Sequence, residues 1–470
     1  MKRVFLKGGQ VITLDRDNRL LQQADILIEQ DRIGAIGPDL AAPADAEIID
    51  LAGHILLPGF VDTHRHAWQT GIRGVAADWS LHDYVRHIRM GYARAYRPED
   101  VYISVLVGLL EALDAGITAL CDFCHIMNSP AHADAAMDAM RAAGLRTRLH
   151  YGFYDVPLDR PAFTDHTARL RDAARFAQRF GRASGPMSLG VALTEAKLVP
   201  PEATAAEIAF ARGLGLPITA HMGTLSTPDA VAQLAAQKLL GPDMLHVHCN
   251  FSSDDELKMI RDSGGAVSCT PETELQMGMG FPVIGRLLAL GMAPSLGIDI
   301  VSDYSGDMFS QMRIGLQTER ALRNEPLLQA RKMPASISPG VSDALAFATR
   351  NGAAAMGLSH QIGSLEAGKQ ADIIAIRQDG WHFMPPAKAI PAIVLQARAN
   401  DVDFVMVDGC IRKRDGALLG HDKAHLRKTM LESQAYLETA LAALPKGQGS
   451  TGQSSTAAAY AHAIEDIVAG

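Results

Sequence analysis

From about residue 57 to residue 300 the chain repeats one pattern, a short apolar run followed by a longer segment of helical period. Nothing else in the sequence restricts its fold so strongly, because this alternation is how parallel strands joined by crossover helices read. The runs lie near Leu56 to Thr63, Ile117 to Phe123, Leu145 to Tyr151, Met187 to Leu193, Leu216 to Ala220, Asp243 to Val247, Gly265 to Cys269 and Ala293 to Ile298. Helix ends between them are readable. Pro98 opens one helix and Gly116 closes it, Ser129 with Pro130 opens the next before Gly144, and Ser253 caps another before Gly264. Eight strands, each followed by a helix, predict an α/β fold of the closed (β/α)8 TIM-barrel type.

The flanks read differently. VFLKGGQVITLD, ADILIEQDRIGAIG and AEIIDLAGHILLPG alternate with period two, as do GSLEAGKQADIIAIRQD and DVDFVMVDGCIRKRDGALL after the barrel. The expected organisation is a discontinuous small β-sandwich domain formed from both termini, residues 1–56 and 363–420, around a barrel at 57–362. A C-terminal helical extension follows at 421–470, in which KGQGSTGQSST has the composition of a mobile linker.

Composition narrows the partners. A net charge of −8 argues against nucleic acid or an anionic membrane and makes a neutral or cationic small molecule easier to accommodate. The N-terminus lacks a basic segment followed by an apolar run, and the most apolar stretch, Val101 to Leu113, is interrupted by Glu111. Five cysteines in 470 residues form no disulfide framework, so a cytoplasmic protein is expected. Enzymes of this size are often symmetric assemblies, and a homo-oligomer, dimer or tetramer, is expected as well.

Histidine, the commonest transition-metal ligand, occurs 17 times. His64 and His66 end the first barrel strand in PGFVDTHRH, and side chains two apart on a strand share a face, so both rings can meet one ion while Arg65 points the other way. His221 ends the fifth strand, His248 the sixth and Asp299 the eighth. Barrel active sites lie at the carboxyl ends of strands, where one rim can gather groups distant in sequence. Nitrogen donors with one carboxylate suit Zn²⁺, or Fe²⁺ as the alternative, and leave a position for water.

With PGFVDTHRH, the histidines after strands five and six, the Asp after strand eight and GSLEAGKQADIIAI in place, the chain resembles the amidohydrolase superfamily over nearly its whole length. The branch it looks like holds the cytosine, guanine and adenosine-type deaminases and the triazine hydrolases. The resemblance implies a metal-dependent hydrolase of carbon–nitrogen bonds other than peptide bonds, acting on a small cyclic or heteroaromatic molecule. It makes His64, His66, His221 and Asp299 the ligands of one divalent ion. Asp299 then takes a proton from the metal-activated water and passes it to the leaving group, while His248 stabilises charge on the substrate.

One departure bears on the reaction. Deaminases of this branch carry Glu three residues after the strand-five histidine, and HMGT places Thr224 there. Threonine is no general acid near neutral pH, so an amide, urea, carbamate or cyclic imide is favoured over a deaminase substrate, with hydrolytic deamination of a purine, pyrimidine, pterin or triazine the alternative. A catalytically silent barrel serving as a binding scaffold is the alternative of another class. Glu195 and Lys197 follow strand four, where binuclear relatives bridge two metals; an ordinary charged loop is the plainer reading, and a second metal is not expected. Trp68, Gln69, His125, Thr224, Glu195 and Asp303 are candidate substrate contacts, as is Arg73, and each has a plain packing or loop role as its alternative. His246 reads as hydrogen-bonded packing, His150 as a strand-three histidine near the rim, and Met277 and Met279 as a loop wall.

Overall fold

The computed structural model describes residues 2–181, 185–196, 199–224, 227–386 and 388–444. Eight parallel strands form the central sheet: β1 (Phe60–Arg65), β2 (Ile117–Cys124), β3 (Arg146–Gly152), β4 (Met187–Ala192), β5 (Ile218–Met222), β6 (Met244–His248), β7 (Ala266–Cys269) and β8 (Ser295–Leu296). The ring closes through backbone just past β8. Asp299 N–H donates to the His64 carbonyl at 2.8 Å, and the Asp299 carbonyl accepts from His66 N–H at 2.8 Å. Inside the barrel Thr63 Oγ1 lies 2.7 Å from Ser268 Oγ and 3.1 Å from Ser295 Oγ and donates to the Leu296 carbonyl, so hydroxyls on β1, β7 and β8 satisfy one another.

The helix ends follow their signals. Ser253 and Glu256 form a reciprocal capping box at helix Asp254–Ser263, and Gly144 closes helix Pro130–Ala143 with a φ of 68° that a side chain would strain. Helix Met308–Gln329 is capped by Asp307, which accepts from Ser310 N–H.

The terminal segments build one nine-stranded mixed sheet with its own apolar core, in which Leu6, Ile26 and Ile28 meet Ile373, Ala375 and Phe404. The first apolar run divides differently from expectation. Leu56 and Leu57 belong to this outer sheet, pairing with Ala375 and Ile374, and the barrel begins only after Gly59. A Cβ at Gly59 would lie 2.1 Å from Thr118 Oγ1, so the chain changes sheet where only glycine fits. Arg146 on β3 ties barrel to outer sheet by two hydrogen bonds to Asp372 and one to Asp408.

Helix Lys423–Ala443 packs on helix Pro98–Asp114 through buried Leu437, a Ser433 hydroxyl donating to Asp100, and Arg97 stacked on Tyr436 at 3.5 Å. The linker of the sequence reading and Lys197 lie outside the described residues. Among the described residues no helix is long and apolar enough to cross a membrane.

Candidate metal centre

Asp62 fixes the floor of the site. Its carboxylate, fully buried, accepts from His64 N–H, from Ile298 N–H and from Arg65 Nε, clamping β1 against the segment that carries Asp299. His64 and His66 thereby project to one side and Arg65 to the other. His248 and Asp299 have φ of 72° and 71°, a left-handed conformation that costs a side-chain-bearing residue on the order of 1–3 kcal/mol. At Asp299 the two backbone hydrogen bonds to β1 hold that geometry, and at the strand-six end Cys249 N–H donates to the Met222 carbonyl.

The side chains converge as expected. His64 Nε2 and His66 Nε2 each lie 3.3 Å from Asp299 Oδ1, His221 Nε2 lies 3.4 Å from His64 Nε2, and His248 Nε2 lies 3.8 Å from Asp299 Oδ2. Two sets of donor atoms fall within 4.8 Å of one another, His64 with His221 and His248, and His64 with His66 and Asp299. Three of the rings, those of His66, His221 and His248, are also held from behind. His66 Nδ1 is 2.7 Å from the Phe123 carbonyl, an obligate acceptor, so the proton sits on Nδ1 and Nε2 presents a lone pair. His221 Nδ1 is 3.0 Å from Glu195 Oε1; His248 Nδ1 is 3.0 Å from Thr270 Oγ1 and 3.4 Å from Glu274 Oε1. Acceptors behind Nδ1 with Nε2 turned inward are the arrangement that orients metal-binding imidazoles.

Electrostatics agree. Burial pushes the His64 imidazole down to about 4 and His66 well below its ordinary value, which keeps both rings neutral and able to donate a lone pair. Burial works against the Asp299 carboxylate, but the His64 hydrogen bond and the neighbouring imidazoles hold it well below the usual carboxylate range. His248 goes the other way: burial lowers it, yet Glu274 and Asp299 outweigh that and raise it. His64 Nε2 and His221 Nε2, 3.4 Å apart beside an ionised carboxylate, form a donor set that fits a divalent ion of the zinc type.

A cavity opens above these groups, lined by His66, His125, Glu195, His221, Thr224, His248 and Asp299 together with Leu81, Tyr84, Arg89, Thr273, Met277, Met279 and Ile300. His125, Glu195 and Thr224 thus reach it, and so do the two methionines. Trp68 and Gln69 do not. Both are fully buried behind the wall, Trp68 Nε1 donating to His125 Nδ1 and Gln69 bridging Tyr84 and Ser302. Arg73 forms a two-pronged pair with Glu111 on the surface instead of entering the site. Asp303 stands outside the lining, its carboxyl pushed up to about 6 by burial and the Asp299 charge. His246 is buried with neither ring nitrogen hydrogen-bonded, unlike the packing expected of it, and His150 lines a separate cavity with Cys121 and Arg148. Glu274, Thr270, Tyr84, Arg89 and Tyr154 went unnoticed in the sequence. Of these Thr270, Glu274 and Tyr154 carried a signal, standing shortly after the ends of β7 and β3.

A closed barrel with an imidazole and carboxylate donor set at the carboxyl ends of strands one, five, six and eight defines the class of metal-dependent hydrolases. Residues 55–412 match the model of the amidohydrolase family, and the chain belongs to that family. It is a hydrolase of carbon–nitrogen bonds other than peptide bonds. The chain is 29% identical to a 5-methylthioadenosine/S-adenosylhomocysteine deaminase of Symbiobacterium thermophilum, over 93% of this chain and 99% of that protein. It is 28% identical to a 5'-deoxyadenosine deaminase of Methanosarcina mazei, over 94% and 99%. Among solved structures, an adenosine deaminase from Xanthomonas campestris with bound zinc superposes with a TM-score of 0.82 at 21% identity, covering 93% of this chain and 98% of that one. Atrazine chlorohydrolase from Arthrobacter aurescens TC1 with zinc gives 0.78 at 20% identity, over 92% and 100%.

Proposed function

We propose that His64, His66, His221 and Asp299 hold one divalent ion, zinc by the nature of the donors with Fe²⁺ the alternative, and that the enzyme hydrolyses a C–N bond in a small heteroaromatic molecule. The observation that carries this reading is the convergence of Nε2 atoms on Asp299 with an acceptor behind the Nδ1 of His66, His221 and His248. When bound, the ion supplies Lewis acidity, which brings the pKa of a coordinated water from about 15.7 toward about 7. Asp299 offers Oδ1 to His64 and His66 and turns Oδ2 toward His248, so one carboxylate oxygen stays available to accept a proton and return it to the leaving nitrogen. His248, favoured in its charged form, donates to negative charge developing on the substrate. The names of the relatives, adenosine-type deaminases and a chlorohydrolase of atrazine, support a heteroaromatic ring as the substrate.

Two chemistries divide this reading. Thr224 Oγ1 lies 3.1 Å from Thr227 Oγ1 and supplies no acid, which favours a ring or exocyclic amide that needs no further proton carrier. Deamination is the second reading, favoured by the names of the curated relatives and by Glu195, which lines the cavity and could carry the proton. Ammonia release across aminated purines, pyrimidines, pterins and triazines separates the two, since an amide hydrolase releases none from an exocyclic amine. For the site itself, purified protein is expected to hold about one zinc per chain, and His66→Ala and Asp299→Ala to lose both zinc and turnover. Retention of full metal content and turnover in both variants would overturn the assignment. Among the described residues all five cysteines are free, which supports a reducing, cytoplasmic location; the proposed dimer or tetramer is checked by light scattering.

A further inference from the structure

Five arginines are buried among the described residues: Arg65, Arg89, Arg146, Arg148 and Arg169. A guanidinium stays charged in proteins, and burying it without an anion is costly, so its partner is informative. Arg65 has Asp62, Arg146 has Asp372 and Asp408, and Arg169 has Asp155. Arg148 faces the separate cavity and donates to Ser188 Oγ and the Met356 carbonyl. Arg89, like Arg148, has no carboxylate within ion-pair distance among the described residues, but it alone of the five lines the catalytic cavity, where it is 7% exposed.

The surroundings of Arg89 aim it. Its Nη1 donates to the His125 carbonyl at 3.2 Å, and its guanidinium lies over the Tyr154 ring at 4.6 Å. Both neighbours touch the candidate ligands: the His125 ring stacks on His66 at 4.1 Å, and Tyr154 Oη lies 3.4 Å from His221 Nδ1. Arg89 belongs to a π-helical stretch, Val85–Tyr92, a widening of the helix that is frequent at functional sites. His125 adds a second donor on the same wall, because Trp68 Nε1–H occupies Nδ1 as acceptor and so places the ring proton on Nε2.

We infer that Arg89 is the specificity residue of this pocket and that the substrate carries a carboxylate, which pairs with the guanidinium while the scissile C–N bond faces Asp299 and His248. This rests on the function proposed above and narrows its substrate class. Charge balance supports it: Asp299 and Glu195 offset one divalent ion and Glu274 offsets His248, which leaves the Arg89 charge for the ligand to meet. The net charge of −8, which favoured a neutral or cationic molecule in the sequence, belongs to the whole surface and not to this wall.

The test is binding, read by calorimetry on the zinc-loaded enzyme with matched probes, orotate against uracil and pterin-6-carboxylate against pterin. At least one carboxylated probe is expected to bind more tightly than its partner, and Arg89→Met to lose about 10- to 100-fold of that affinity with the uncarboxylated partner unaffected, the range for hydrogen bonds to a charged group. Arg89→Lys keeps the charge and loses the fork, and is expected to fall between the two. Zinc content and melting temperature of each variant report its folding. Wild-type enzyme holding about one zinc but showing no carboxylate preference overturns this inference and leaves the proposed function standing. A preference that survives unchanged in a folded Arg89→Met also overturns it. Wild-type enzyme that binds neither zinc nor Fe²⁺ overturns the proposed function instead.

Discussion

Glu195 is a residue whose removal separates positioning from contact with substrate. It is 3% exposed, its Oε1 lies 3.0 Å from His221 Nδ1, and although burial alone would raise its carboxyl, hydrogen bonds from His221 and Tyr154 hold it below its ordinary value. It is therefore an ionised acceptor that fixes the His221 ring with Nε2 turned to the centre. Loss of such a partner behind a ligating imidazole typically costs about 10- to 100-fold in metal affinity, or roughly 1.4–2.7 kcal/mol. Glu195→Gln keeps an amide oxygen where Nδ1–H donates and removes the charge, so the lower end is expected. Glu195→Ala leaves the buried Nδ1–H with Tyr154 Oη at 3.4 Å, a poor substitute, and the upper end is expected. Zinc affinity measured by competition with a chromophoric chelator reads the effect directly. Turnover of Glu195→Ala at saturating zinc is expected to recover most of the wild-type value. An unchanged zinc affinity in Glu195→Ala would refute positioning, and turnover that stays low with zinc fully bound would place Glu195 on the substrate as a proton carrier.

Two further expectations concern stability. Burial pushes Glu207 from its ordinary 4.5 up to about 8, although it accepts from Thr194 N–H and faces the Thr194 hydroxyl; His166, at 3.6 Å, is itself lowered by burial and brings no compensating charge. The folded state then holds a proton that the unfolded chain releases above about 4.5, so this group's contribution to stability is greatest below that value, falls as pH rises toward about 8, and levels off beyond it. Glu207→Gln imitates the protonated acid and is expected to remove this decline, gaining on the order of a few kcal/mol over wild type at pH 9 and little at pH 4 in urea denaturation; parallel pH profiles for the two proteins would contradict it. Arg146→Met strands the carboxylate of Asp372, 3% exposed, and is expected to destabilise by about 3–5 kcal/mol, visible as a lowered denaturation midpoint. A loss under about 1 kcal/mol would mean that the joint between barrel and outer sheet rests on apolar packing.

The sequence by itself determined what is periodic or local. Apolar runs of strand length separated by helical stretches can bury their surface only as a parallel sheet wrapped in helices, and caps such as Ser253 with Glu256 act within four residues. Because side chains alternate on a strand and barrel sites lie at strand carboxyl ends, His64, His66, His221, His248 and Asp299 could be named before any of them was seen together. What the tertiary structure decided is everything that depends on which distant groups meet. Trp68 and Gln69 stand beside the histidine pair in sequence but turn into the wall, since the 3₁₀ turn at Ala67–Ile72 carries them out of the strand direction. Glu195 and Glu274 became the partners of His221 and His248, and Arg89 came to the pocket without a carboxylate, through contacts that span 26, 26 and 36 residues of chain. No periodicity encodes such pairings; they follow from barrel closure, which brings eight loops to one rim and leaves their side chains to satisfy charge and hydrogen bonds against one another.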